Sequence, residues 1–115
     1  MTLLETALNG MGMGTKIADI EQMYTDHRGN KLAEMLLLDL NMALMDLSRA
    51  ESMQAAAARS LRTALDRFDA NPTVSNAQWL AQYGRKVEQH AREAHSEYLR
   101  VGKLWRLWVA GSEQI

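Results

Sequence analysis

Residues 31–74 run KLAEMLLLDLNMALMDLSRAESMQAAAARSLRTALDRFDANPTV, and this stretch decides the fold. Leu36, Leu40, Ala43, Leu47, Ala50, Gln54, Ala57, Leu61, Ala64 and Phe68 recur at alternating spacings of four and three. That is the stripe of a helix that packs along one seam. One column is small (Ala43, Ala50, Ala57, Ala64), and the other is mostly large (Leu40, Leu47, Leu61, Phe68). Neither Gly nor Pro interrupts the run, so one helix is expected over residues 31–69. At ~1.5 Å per residue it would be about 58 Å long.

Asp69-Ala70-Asn71-Pro72-Thr73-Val74 ends that helix. Pro72 cannot sit in a helix interior and biases Asn71 away from helical dihedrals. Ser75 and Gln78 then have the spacing of a capping box, and Val74 and Trp79 flank it as a hydrophobic staple would. A second long helix is expected over 76–110. Leu80, Val87, Ala94, Val101 and Trp108 recur every seven residues, with Tyr83, Ala91, Tyr98 and Trp105 in the next column. Lys103 and Arg106 lie in its last turns, where cations favour the helix dipole, and Gly111 is a suitable stop. A short loop between long helices makes them antiparallel neighbours. The expected fold is all-α, a long antiparallel hairpin of roughly 50 Å by helix length.

Ahead of the hairpin, residues 1–14 are expected to be a flexible segment. Leu3, Leu4, Ala7 and Leu8 suffice for one or two apolar turns before Gly10-Met11-Gly12-Met13-Gly14. Thr15 is placed to cap a short helix over 15–28, with Ile17, Ile20 and Met23/Tyr24 on one face and Gly29-Asn30 as its stop. Residues 15–115 thus form a single helical domain.

Composition narrows the function. The 115 residues carry 13 Lys+Arg against 14 Asp+Glu, a formal net charge of −1, which excludes a strongly basic nucleic-acid binder. With no Cys, disulfide scaffolds, thiolate zinc sites and Cys nucleophiles are excluded. One Pro and seven Gly are too few for a sandwich or barrel. There is no Gly-x-Ser-x-Gly elbow and no phosphate-binding loop with Lys and Ser/Thr. His27, His90 and His95 do not match the paired Glu-x-x-His sets of di-metal bundles. Neither catalysis nor a metal or cofactor is expected. Arg85, Lys86, Arg92, Arg100, Lys103 and Arg106 face Glu88, Glu93 and Glu97 on the second helix, too balanced for phosphate neutralisation. Trp79, Trp105 and Trp108 are assigned to packing.

The longest strongly apolar run is Met35–Leu38, far short of the ~20 residues of a bilayer span, so no membrane insertion is expected. The first positive side chain is Lys16, so no basic n-region precedes an apolar one. The protein is expected to be soluble and cytoplasmic when synthesised.

Met35, Leu37, Leu38, Met42, Leu44 and Met45 lie partly off the seam, which leaves the first third of the long helix apolar nearly all round. Such a helix is normally covered on several faces. Residues 15–28 would cover one face. A second copy or a helical protein partner would cover another, through Leu36, Leu37, Leu40, Met42, Met45, Trp105 and Trp108. Asn71, Pro72, Val74, Ser75, Trp79, Leu80, Tyr83 and Val87 are expected to fix the turn and its packing.

The turn region resembles the needle subunits of bacterial type III secretion systems, with the inner-rod subunits as a variant. The resemblance runs over residues 64–90 and rests on Ala64-Leu65-Asp66, Asn71-Pro72, Ala77, Leu80-Ala81, Tyr83, Lys86-Val87 and Glu88. Ser75, Gly84 and His90 stand where that family more often has Pro, Gln and an aromatic residue. The family's apolar C-terminal helix has counterparts in Val101, Leu104, Leu107, Val109 and Ile115. The resemblance implies a self-assembling hairpin, secreted without a cleavable signal, whose copies stack into a hollow filament. It also implies that the first long helix carries much of the subunit packing, with the basic side chains of the second lining the lumen. The competing expectation is a helical-bundle adaptor or chaperone, monomeric or dimeric, that takes a partner helix on a Met/Leu surface.

Overall fold

The computed structural model describes residues 2–12 and 18–112. They form four helices: α1 (Leu3–Gly10), α2 (Ala18–Asp26), α3 (Lys31–Ala70) and α4 (Val74–Ser112). Helices α3 and α4 are the antiparallel hairpin that the heptads predict, and α1 and α2 pack on it. The molecule is a rod of 63 × 19 × 19 Å. No strand occurs among the described residues.

The ends of α3 have local causes. Asn30 Oδ1 accepts a hydrogen bond from Ala33 N at 3.2 Å, and Glu34 Oε1 accepts one from Gly29 N at 2.8 Å. These acceptors satisfy backbone donors that a helix start leaves free. Gly29 has φ +99°, a backbone conformation that costs Gly little. This turn ends α2 at Asp26, earlier than expected from the sequence; residues 15–17, including the expected Thr15 cap, lie outside the described residues. At its far end α3 runs to Ala70, where Asn71 N still donates to Arg67 O at 2.9 Å.

The start of α4 differs from the expected capping box. Thr73, not Ser75, is the cap: its Oγ1 accepts from Asn76 N at 3.2 Å and its carbonyl from Ala77 N at 3.0 Å. Asn76 Nδ2 also donates to Asn71 O at 2.8 Å, tying the new helix to the end of the old one. Pro72 and Asn71 complete the reversal, so Thr73 is the first residue free to cap, and Ser75 is already helical. Val74 is 76% exposed and does not staple onto Trp79.

Residues 3–10, expected as part of a flexible segment, instead form a capped and packed helix. Thr2 Oγ1 accepts from Glu5 N at 3.1 Å. From α3, the two carboxylate oxygens of Glu51 accept from Leu3 N and Leu4 N at 2.9 and 2.8 Å. Ala7, Leu8 and Met11 are buried against the hairpin, and Gly12 follows at φ +69°.

The core is concentrated where all four helices meet. Leu40, Ala43, Leu44 and Leu47 of α3 are fully buried with Ile20, Leu8, Ala94 and Val101. A second cluster joins Ala33 and Leu37 to Trp108, with Met23, Tyr24, Leu36 and Trp105 packed against it. The His27 ring meets Trp108 edge-on, 5.0 Å between centroids. Toward the turn only Ala57 and Ala64 are buried, and Leu61, Phe68, Leu80, Tyr83 and Val87 are half-buried. Fully burying an aliphatic side chain stabilises by about 1.5–3 kcal/mol, so the stabilising burial lies at the four-helix end.

Candidate interaction surface

Helix arithmetic divides α3 into two sides. At about 100° per residue, Leu40, Ala43, Leu44 and Leu47 point toward α4 and the short helices. Met35, Leu38, Met42, Met45 and Met53 fall on the opposite side, with Leu32 flanking them. All six are exposed, Met42 at 54% and Met45 at 51%. Arg49 is the charged residue interleaved in this stripe. Asn41, at its edge, lines a small cleft between α2 and α3 with Ile20, Tyr24, Leu37 and Leu38. Its side-chain oxygen is buried without a hydrogen-bond partner.

This placement revises the contact residues expected from sequence. Leu37, Leu40 and Trp108 belong to the chain's own core and are not free to meet a partner. Leu36 and Trp105 are half-buried against that core. The physical reason is α1 and α2, which cover the side of α3 that a two-helix hairpin would have left open. Met42 and Met45 remain on the surface, joined by Leu32, Met35, Leu38 and Met53.

At the turn end, Asn71, Pro72, Val74 and Ser75 are exposed, and Asn71 works through its backbone. Trp79 is 46% exposed and forms part of a surface ladder. The Arg67 guanidinium lies 5.5 Å from its ring centroid, Tyr83 packs at 5.8 Å with a tilt of 52°, and Lys86 Nζ stands 5.2 Å from the Tyr83 ring. Arg67 comes from α3 and the rings from α4, so the ladder ties the two helices where apolar burial is thinnest. Exposed cation–π contacts are worth about 0.5–1 kcal/mol each.

Charged groups form local pairs. Asp46 of α3 meets Arg100 of α4 at 3.4 Å, and Arg100 also meets Glu97 at 3.3 Å. Arg92 pairs with Glu88 one turn away. His90 Nδ1 lies 3.1 Å from Glu93 Oε2. That hydrogen bond, followed by one from Gln89, holds the Glu93 carboxyl below its usual range. Among the described residues, no three His, Asp or Glu side chains are grouped to hold a metal. No helix among them is long and apolar enough to cross a membrane.

Sequence reasoning missed Glu51. A Glu in the middle of a long helix resembles any other surface Glu, and nothing near it in the chain shows that it caps a helix 47 residues away. It also missed Met53 and Leu32, which lie beyond the densest apolar run. No protein-family model matches the chain, and no curated protein or solved structure matches it.

Proposed function

We propose that this chain is a structural subunit that assembles with copies of itself through the outer side of α3, in the manner of a needle or inner-rod subunit of a bacterial secretion apparatus. The observation that carries the self-assembly is the apolar stripe Met35–Leu38–Met42–Met45–Met53, exposed on a rod whose other α3 side is already covered. Exposed apolar side chains gathered on one side of a helix, here with Arg49 among them, mark an interaction site. A heterologous contact between identical rods that does not close yields a helical filament. The secretion role rests on the resemblance over residues 64–90, and the exposed Asn71-Pro72 turn and the slender rod suit stacking.

The methionines favour a second reading. Met35, Met42, Met45 and Met53 make a deformable surface of the kind that accepts varied partner helices, which suits an adaptor or chaperone. Negative-stain electron microscopy over a concentration series separates the two. Self-assembly predicts regular fibres for the natural sequence and only discrete particles for the double substitution Met42→Glu, Met45→Glu. Discrete particles of the natural chain at every concentration would count against it and favour the adaptor.

A further inference from the structure

Helix α1 is seated unlike the other elements. It has eight residues, and isolated helices shorter than about 12–15 residues are marginal in water, so its seat keeps it helical. That seat is narrow. Ala7 and Leu8 are buried, and Met11 follows just past the helix end. On the α3 side a cleft of about 400 Å³ opens beside Leu4 and Leu8. On the α4 side another of about 440 Å³ opens beside Ala7, Met11 and Trp105. Helix α1 therefore lies along the groove on one ridge without filling it. Its N-terminus is held by the paired hydrogen bonds to Glu51, and Gly10 and Gly12 follow directly, Gly12 at φ +69°.

We propose that the groove between α3 and α4 is an exchangeable helix-binding site, and that its second occupant is α1 of another copy of this chain. The groove asks for a short helix with apolar residues at the Leu4, Ala7 and Leu8 positions and free backbone N–H groups within reach of Glu51. The α1 of a second copy meets each requirement by identity. Exchanging an identical element replaces every contact with its equal, so concentration sets the balance between closed and exchanged forms. This goes beyond the outer stripe of α3 and does not depend on it.

The experiment uses the full chain, which has no natural Cys. A donor carries Glu5→Cys and a tagged acceptor carries Ser52→Cys, two positions that line the same cleft. Both also carry Met42→Glu and Met45→Glu, so that contact through the outer stripe does not contribute. A short bis-maleimide is added to the mixture. The expected result is a donor–acceptor product that grows with concentration. Adding Glu51→Ala to the donor frees its α1 and speeds the product about tenfold, the scale of hydrogen bonds to a charged group. A product no faster than with a Gln82→Cys acceptor at the turn end would overturn the proposal. So would a rate indifferent to Glu51→Ala. A single chain carrying both Cys substitutions should link to itself when dilute, and failure to do so would show that the groove does not seat α1 at all.

Discussion

The two ends of the hairpin share one heptad pattern but differ in what it achieves. At the four-helix end, Leu40, Ala43, Leu44 and Leu47 lose all contact with solvent. At the turn end, Leu61 and Phe68 occupy equivalent seam positions and stay half-buried. The small column is buried in both halves, with Ala57 at 8% and Ala64 at 3% exposure. Two rods can therefore enclose an alanine between them but not a leucine, which needs a third helix. The seam fixes the alignment of α3 and α4 along its whole length, and α1 and α2 convert one half of it into a core.

Substitutions sharpen this contrast, and the largest effect belongs to the four-helix end. Leu40→Ala should destabilise by about 2–5 kcal/mol, as deletions at fully buried sites do, while Leu61→Ala should cost under half as much. Urea unfolding of the two variants side by side is the check, and equal losses would erase the distinction between the halves. Next comes Ala64→Leu, which overfills the narrow seam near the turn and should cost about 1–3 kcal/mol. Hydrogen exchange should show protection lost around residues 57–87 and kept around 33–50. Pro72→Ala frees the turn and should cost about 0.4–1 kcal/mol through the unfolded chain, with helix content by circular dichroism unchanged.

The smallest effect expected is electrostatic. The Glu93 carboxyl is held below its ordinary range by His90 and Gln89. A depressed folded value contributes stability that is present above the unfolded carboxylate pKa and lost as pH falls through the folded value. Stability profiles of the natural chain and Glu93→Gln should thus converge in acid and separate toward neutral pH. Parallel profiles would remove the contribution.

Much of this was legible in the residues. The uninterrupted 4-3 alternation and the single Pro mark out two long antiparallel helices, because periodicity and a missing backbone donor act locally. The cap was harder to read. Thr73 and Ser75 both precede polar residues at cap spacing, and only the tight reversal at Asn71-Pro72 selects the earlier one. The outer stripe was visible in part through Met42 and Met45. Leu37, Leu40 and Trp108 looked equally available, and their burial depends on where α1 and α2 dock. The docking of α1 turns on Glu51, and that of α2 on the packing of Met23 and Tyr24 beside Leu37 and Trp108, contacts between distant segments that no local pattern announces.

The Glu51 cap also sets an order of events during synthesis. Helix α1 is made before its capping carboxylate, which lies 48 residues downstream of Leu3. Val101, part of the same buried cluster, comes later still. At about 5–20 residues per second, the α1 segment spends seconds without its groove. Throughout that interval the apolar ridge of α1 has no seat on its own chain, while a finished neighbour already carries the matching groove.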